Sequence, residues 1–117
     1  FDSSDGVGIT EIQRIAEQVA KMLSESLTAF ARLDIDLARD IFERERKVDK
    51  VYQSALRSLA TFMIEDPRNI GRVLNIVWIA RSLERVGDHA TNIAEYVIYL
   101  VQGVDVRHPG VNENSFT

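Results

Sequence analysis

Two interruptions divide the sequence into three long segments, and they constrain the fold more than any other feature. Residues 33–36 (LDID) offer two aspartates that can cap the N-terminus of a helix. Asp66-Pro67 places a capping residue before a proline at the first helical position, where proline is tolerated. Apolar residues recur at helical spacing within each segment, and none alternates as a half-buried strand does. The sequence therefore predicts an all-α fold, an antiparallel three-helix bundle.

The start of the first helix is predicted from its own pattern. Residues 1–8 (FDSSDGVG) are polar and contain two glycines, which indicates a linker. Thr10 followed by Gln13 forms a capping-box pattern, in which two side chains satisfy free amides at a helix start. We therefore expect the first helix to begin at about Thr10.

The same reasoning predicts the remaining boundaries. The three helices are expected over about 10–33, 36–65 and 67–102. Gly103 is expected to stop the third helix, because glycine readily adopts the conformation that ends a helix. This predicts a three-helix domain over residues 9–103 and a loose C-terminal tail over residues 104–117.

The composition excludes several classes of protein. Without cysteine, the chain has no disulfide framework, thiolate metal site or thiol nucleophile, which is compatible with a reducing compartment. Eighteen acidic against 14 basic residues disfavour a nucleic-acid partner. The longest apolar run, residues 96–101, is far shorter than the roughly 20 residues of a membrane span. The 117 residues suffice for one domain, and because residue 1 is Phe we expect a piece of a longer protein.

Each predicted helix carries an apolar face that is expected to form the core. The faces are Ile12, Ile15, Val19, Leu23, Leu27 and Phe30 in the first helix; Ile41, Val48, Tyr52, Ala55, Leu59 and Phe62 in the second; and Val73, Ile76, Ala80, Leu83, Gly87, Ala90, Ala94 and Val97 in the third. Phe42 and Trp78 are also expected in the core, because large aromatic residues usually pack inside. The alternative is that these two residues anchor a dimer interface.

A polar ridge lies beside the apolar face of the third helix. Glu84, Asp88 and Asn92 follow one another at four-residue intervals, so three oxygen-bearing side chains line one side of the helix. Like charges at this spacing cost a few tenths of a kcal/mol unless something neutralises them. A bound cation would neutralise them.

The second helix repeats this pattern with Glu45 and Asp49. In an antiparallel hairpin that turns at residues 66–67, residues whose numbers sum to about 133 lie side by side. Asp49 is then level with Glu84, and Glu45 with Asp88. The sequence therefore predicts four carboxylates from two helices at one height.

Four ionised carboxylates cannot share a small space without compensation, and two kinds of compensation are open. A divalent cation is one, and oxygen ligands favour Mg²⁺, Mn²⁺ or Ca²⁺, with iron also possible. A salt-bridge network is the other, with nearby bases to supply it: Arg44, Arg46, Lys47, Arg81 and Arg85. His89 is displaced by about 100° from the ridge that carries Asp88, so we do not assign it as a ligand.

Four segments resemble the PhoU family, and together they span roughly residues 9–108. The most specific is residues 80–93 (ARSLERVGDHATNI), which resembles the signature helix of that family. The others are residues 46–49 (RKVD), 27–36 (LTAFARLDID) and 103–108 (GVDVRH). The segments agree with the family in both order and spacing.

The resemblance implies both a fold and a metal site. PhoU proteins consist of two tandem three-helix repeats, and this sequence resembles the second, an elongated bundle like a spectrin repeat. The family's Glu/Asp-x-x-x-Asp motifs bind metal, which implies five candidate ligands here: Glu45, Asp49, Glu84, Asp88 and Asn92. The family is associated with iron, zinc, magnesium and manganese, so the identity of the metal stays open.

The resemblance also implies a regulatory function. PhoU proteins are cytoplasmic negative regulators of the phosphate-starvation response, and they also limit phosphate transport. They act as adaptors between the ATPase subunit of the phosphate ABC transporter and a sensor histidine kinase, and so reach the membrane only through partners. A homodimer is expected. A chain without the first repeat would hold half of the metal sites and half of the partner surface.

An enzyme is the alternative function. Carboxylates that bridge metal ions also occur in hydrolases and oxidases, where the metal activates water or oxygen. Against this, no Ser, His and Asp residues occur at spacings that place a nucleophile and its base on one helix face. The sequence also lacks a Gly-rich phosphate loop. An adaptor without catalytic activity is therefore the favoured prediction.

Overall fold

Three antiparallel helices make up residues 8–107, the part of the chain that the computed structural model describes. They are α1 (Ile9–Arg32), α2 (Ile35–Glu65) and α3 (Ile70–Arg107), and a short 3₁₀ turn (Pro67–Asn69) precedes α3. The bundle is elongated, measuring 64 × 25 × 17 Å. The predicted all-α three-helix bundle is therefore confirmed. No helix within residues 8–107 combines the length and the apolarity that crossing a bilayer requires.

Aspartates cap the starts of the second and third segments, as the sequence predicts. The Asp34 carboxylate accepts a hydrogen bond from the amide of Leu37 at 3.0 Å and so satisfies a free donor of α2. Leu33 before it adopts the left-handed conformation with φ 52°, which ends α1 and reverses the chain. Asp66 accepts from the amide of Arg68 at 3.3 Å and also forms an ion pair with its guanidinium.

The capping box predicted at Thr10 is wrong. The N-cap of α1 is Gly8, which has φ 81°, and no side chain caps this end. Thr10 already lies inside the first turn. Gly8 is suited to this position because a residue without Cβ adopts a positive φ without strain. It also lies against the core, since a Cβ at position 8 would lie 2.9 Å from Cδ2 of Leu59.

Replacing Gly8 with alanine should therefore destabilise the fold by about 1–3 kcal/mol, through the left-handed backbone and the contact with Leu59. Gly71→Ala is the matched control. Nothing lies within 4 Å of a Cβ at Gly71, and alanine is favoured over glycine within a helix by about 1 kcal/mol. Urea denaturation should show a lower free energy of unfolding for Gly8→Ala, and a higher one for Gly71→Ala, than for the wild type. A loss of stability at Gly71 equal to that at Gly8 would contradict this account.

The predicted end of the third helix is also wrong. α3 continues through Gly103 to Arg107, because a glycine without a following left-handed turn weakens a helix but does not have to end it. The first four residues of the predicted 104–117 tail are therefore helical. The rest of that tail, and residues 1–7 of the predicted linker, lie outside the described residues.

The buried face of α1 differs from the predicted one in its second half. Ile15 and Val19 are buried as expected, but Leu27 and Phe30 are 53% and 46% exposed. The face instead continues through Met22, Ser26 and Ala29, all of which are fully buried. The Ser26 hydroxyl donates to the backbone oxygen of Leu23 at 2.7 Å, which satisfies a polar group inside the core.

The predicted faces of α2 and α3 do form the core. Ile41, Ala55 and Leu59 of α2 are 0–1% exposed, and the centre of the α3 face consists largely of small residues. These small buried residues are Ala80, Gly87, Ala90 and Ala94. A Cβ at Gly87 would lie 3.7 Å from Cγ2 of Val19 on α1, so the helices approach closely there.

Trp78 does not lie in the core, contrary to the prediction. Its side chain is 69% exposed, whereas Phe42 is partly buried and packs against the core as expected. Other large apolar residues are also exposed near Trp78 on the first turns of α3: Ile70, Leu74 and Ile79. The interior seam of small side chains has no room for an indole, which explains why Trp78 faces outward.

Candidate functional site

One small cleft contains the four predicted carboxylates. Glu45 and Asp49 reach it from adjacent turns of α2, and Glu84 and Asp88 reach it from adjacent turns of α3. The helical hairpin thus places the four side chains at one height, as the pairing across the 66–67 turn predicts. Glu45 and Glu84 are half-buried, and the two aspartates are exposed.

The floor of the cleft is apolar and comes from all three helices. It is formed by Ile15, Val19 and Met22 of α1, Val48 of α2 and Gly87 of α3. The cavity in the cleft has a volume of about 20 Å³, enough for one water molecule or one ion. An apolar floor weakens the screening of charges above it, so the carboxylates repel one another more strongly than on an open surface.

These surroundings shift the pKa of Glu45. Burial raises the pKa of Glu45 above its ordinary value of 4.5, and the neighbouring charges of Asp49 and Asp88 raise it further. The hydroxyl of Thr91 acts in the opposite direction and lowers this pKa. That hydroxyl donates to the backbone oxygen of Asp88 at 2.9 Å. The ionised form of Glu45 is therefore disfavoured in the metal-free protein.

Lowering the pH should consequently increase the free energy of unfolding that Glu45 contributes. With a raised pKa, the folded protein binds more protons than the unfolded chain between pH 4.5 and the folded pKa of Glu45. The free energy of unfolding contributed by Glu45 is therefore greatest below that window and falls as the pH rises through it. Glu45→Gln should remove this slope and raise the melting temperature of the metal-free protein at neutral pH.

Melting curves at several pH values check this expectation. Glu65→Gln is the matched control, because it removes an exposed carboxylate from the same helix outside the cleft. It should keep the wild-type dependence on pH. A wild-type slope that persists in Glu45→Gln would show that other groups cause it.

The predicted salt-bridge network does not form around the cleft. Arg44 instead pairs with Glu25 on α1 at 2.9 Å, and Arg46 pairs with Glu43 at 2.7 Å. Among residues 8–107, no ion pair reaches any of the four carboxylates of the cleft. Within this part of the chain, the four acids therefore share the cleft without an ion-pair partner.

The carboxylates do not form a closed ligand cage as they stand. Within the described part of the chain, no three His, Cys, Asp or Glu side chains converge closely enough to hold a metal ion. Asp49 of α2 and Asp88 of α3 are the two exposed acids of the cleft. The donors suit a hard cation in their chemistry, because all are carboxylate oxygens.

Asn92, the fifth candidate, does not line the cleft. It is exposed and belongs to a separate, mainly apolar groove between α1 and α3, together with His89. The rings of Phe30 and Tyr96 lie in the same groove with their centroids 6.2 Å apart. The turns between Asp88 and Asn92 carry the ridge away from α2, so the structure does not bring Asn92 to the carboxylates.

Tyr52 belongs to the cleft as well as to the apolar core. It lines the cleft on α2, one turn beyond Asp49, and its side chain is 5% exposed. Burial raises the pKa of Tyr52, the charge of Glu84 raises it further, and Arg81 lowers it. The sequence spacing predicts this position, because the ridge that carries Glu45 and Asp49 continues through Tyr52 on one helix face.

The sequence and the structure can now be compared with known proteins. The PhoU domain matches residues 12–97, most of the chain. The chain belongs to the PhoU domain family. All residues that line the cleft lie within this match, so the cleft is part of the PhoU domain itself.

Individual PhoU proteins agree with this assignment. A Pseudomonas aeruginosa protein named phosphate-specific transport system accessory protein PhoU homolog is 59% identical over 104 residues, covering 89% of this chain and 43% of its own. The Escherichia coli protein named phosphate-specific transport system accessory protein PhoU is 42% identical over 105 residues, covering 90% of this chain and 44% of its own. The chain therefore spans less than half the length of the curated relatives it matches.

A solved PhoU structure shows the same fold. The crystal structure of PhoU from Pseudomonas aeruginosa has a TM-score of 0.79 and 58% sequence identity, covering 82% of this chain and 46% of that chain. At this identity the PhoU fold carries over. The likeness thus supports the three-helix PhoU bundle.

Proposed function

We propose that this chain is a metal-binding repeat of a negative regulator of phosphate transport and of the phosphate-starvation response. Its relatives are named as accessory proteins of the phosphate-specific transport system, which supports a role in that system. On this proposal the protein acts in the cytoplasm as an adaptor. It would contact the ATPase subunit of a phosphate ABC transporter and a sensor histidine kinase.

The observation that carries the proposal is the cleft between α2 and α3. Four carboxylates line it, while Arg44 and Arg46 pair with acids outside the cleft. Burial raises the pKa of Glu45, and the charges of Asp49 and Asp88 raise it further, so these surroundings disfavour the charged carboxylate. A divalent cation would relieve this repulsion and draw Glu45, Asp49, Glu84 and Asp88 together.

The donors and the space favour a hard cation. Carboxylate oxygens alone suit Mg²⁺, Mn²⁺ or Ca²⁺ better than a metal that prefers nitrogen or sulfur. Mg²⁺ and Mn²⁺ also tolerate water among their ligands, which a partly exposed cleft supplies. When bound, such a cation would supply positive charge that links two helices. Iron and zinc remain alternatives that a competition titration separates from Mn²⁺.

An adaptor agrees with these observations better than an enzyme does. The relatives that match this chain are named as accessory proteins, not by a reaction. Two metal ions in a hydrolase lie about 3.5–4 Å apart, and the space here suits a single ion-sized particle. We therefore propose that the metal shapes the bundle for its partners.

Affinity capture tests the adaptor role. The protein should capture the transporter ATPase subunit and the cytoplasmic part of the kinase in buffer that contains Mn²⁺. Chelation with EDTA, or the double variant Glu45→Gln/Asp88→Asn, should reduce the captured amount several-fold. The physical reason is that, without a bound cation to link them, α2 and α3 would lack the arrangement of the loaded cleft.

Glu65→Gln/Glu95→Gln is the matched control for this capture. It removes the same charge from the same two helices, but both residues are exposed and lie outside the cleft. It should bind both partners as the wild type does. Equal capture by all three proteins, with and without EDTA, would contradict a metal-dependent adaptor.

A further inference from the structure

Tyr52 is a buried residue whose hydroxyl has no hydrogen-bond partner among the described residues. The side chain is 5% exposed, yet no hydrogen bond joins its hydroxyl to any group in residues 8–107. Buried polar groups are nearly always hydrogen-bonded, because leaving one unpaired costs free energy. An isolated buried hydroxyl therefore points to a partner that is present in another state of the site.

The geometry identifies that partner. Tyr52 lines the same cleft as the carboxylates, and by the pairing across the 66–67 turn it is level with Arg81, one turn from Glu84. Arg81 offers only donors and cannot accept a hydrogen bond from a phenol. Glu84 is the acceptor whose charge acts on Tyr52.

We propose that Tyr52 is a positioning residue of the cleft, whose hydroxyl donates a hydrogen bond to the Glu84 carboxylate when a divalent cation is bound. This inference rests on the proposed metal site. A carboxylate has two oxygens, so Glu84 can present one to the cation and accept from Tyr52 with the other. Hydrogen bonds of this kind hold metal-binding carboxylates in place, and removing one typically weakens metal affinity 10–100-fold.

Tyr52→Phe tests the proposal, because it removes the hydroxyl and keeps the buried ring. Isothermal titration with Mn²⁺ should show binding at least about 10-fold weaker than in the wild type. The melting temperature of the metal-free variant should be unchanged or higher, since an unpaired buried hydroxyl is lost. Tyr96→Phe, on an exposed ring outside the cleft, is the matched control and should bind Mn²⁺ normally.

Four other results would overturn the proposal, and they can be told apart. Equal Mn²⁺ affinity in Tyr52→Phe and wild type removes the role of the hydroxyl while leaving the metal site intact. Weaker binding together with a lower metal-free melting temperature assigns Tyr52 a packing role. A phenolate-to-iron absorption band in the Fe³⁺-loaded wild type that Tyr52→Phe lacks makes Tyr52 a ligand instead of a donor. A flat Mn²⁺ titration of the wild type rejects the metal site and this inference together.

Discussion

Mn²⁺ at one hundred times its dissociation constant should raise the melting temperature of the wild-type chain by about 10 °C. A ligand that binds only the folded state at this concentration contributes about 2.7 kcal/mol. For a domain of roughly 100 residues, each kcal/mol corresponds to a shift of about 4 °C or more. Because the carboxylates of the cleft repel one another before binding, the gain comes partly from relieving that repulsion.

The double variant Glu45→Gln/Asp88→Asn should lose this response. Its metal-free melting temperature should rise above that of the wild type, because two repelling charges are gone from one cleft. The control Glu65→Gln/Glu95→Gln should respond to Mn²⁺ as the wild type does. Differential scanning calorimetry with Mn²⁺, with Mg²⁺ and with EDTA gives all these values. An identical rise in both double variants would place Mn²⁺ elsewhere on the surface.

Ile41→Ala should destabilise the bundle by about 2–5 kcal/mol, the largest effect we expect from a single substitution. Ile41 is 0% exposed and lies in the main core cluster, so alanine leaves a cavity that the surrounding helices fill only in part. A domain of this size has a total stability of about 5–15 kcal/mol. The variant should therefore unfold at a markedly lower urea concentration.

The same substitution at Ile64 supplies the control. Ile64 lies near the end of the same helix and is 77% exposed, so Ile64→Ala should change stability by no more than about 0.5 kcal/mol. The comparison holds residue type and helix constant and varies only burial. Similar urea midpoints for both variants would show that α2 presents a different face to the core.

The capping residues explain why the helix order and the hairpin could be predicted. Asp34 and Asp66 act through local hydrogen bonds, which depend on residues only two or three positions away. With the turn placed at residues 66–67, helical geometry alone sets which turns of α2 and α3 are level. The meeting of the two acidic pairs follows from that placement.

The buried face of α1 shows where periodicity was insufficient. Steps of four residues from Ile15 to Leu27 rotate by about 40° each, so the predicted stripe winds away from the core. The observed stripe alternates steps of four and three residues through Met22 and Ser26, the spacing that keeps packed helices facing each other. Leu27 is apolar, but its chemistry alone does not show which way it faces.

Trp78 was misplaced for a related reason. It follows Ile76 and precedes Ala80 by two residues, and both of these belong to the buried face of α3. A residue two positions from each lies about 160° from that face, so it points to solvent. The general preference of aromatic residues for the core was given more weight than this geometry.

The chemistry of the cleft was only partly readable from the sequence. The four acidic residues of the cleft could be predicted, because the sequence states their charge and their spacing directly. The absence of ion pairs to these acids could not be predicted, since the long side chains of Arg44 and Arg46 can reach several acids. The isolation of the Tyr52 hydroxyl depends on every neighbour of the ring, and such information exists only in three dimensions.

The position of the cleft has a mechanical consequence. Asp49 and Glu84 are 35 positions apart on the two helices that the turn at residues 66–67 joins. A cation held by both residues would therefore add a second link between these helices. α1 contributes only apolar floor to the cleft and would gain no such cross-link. A bound cation would therefore fix the spacing between α2 and α3, while α1 would stay attached to this pair mainly through apolar packing.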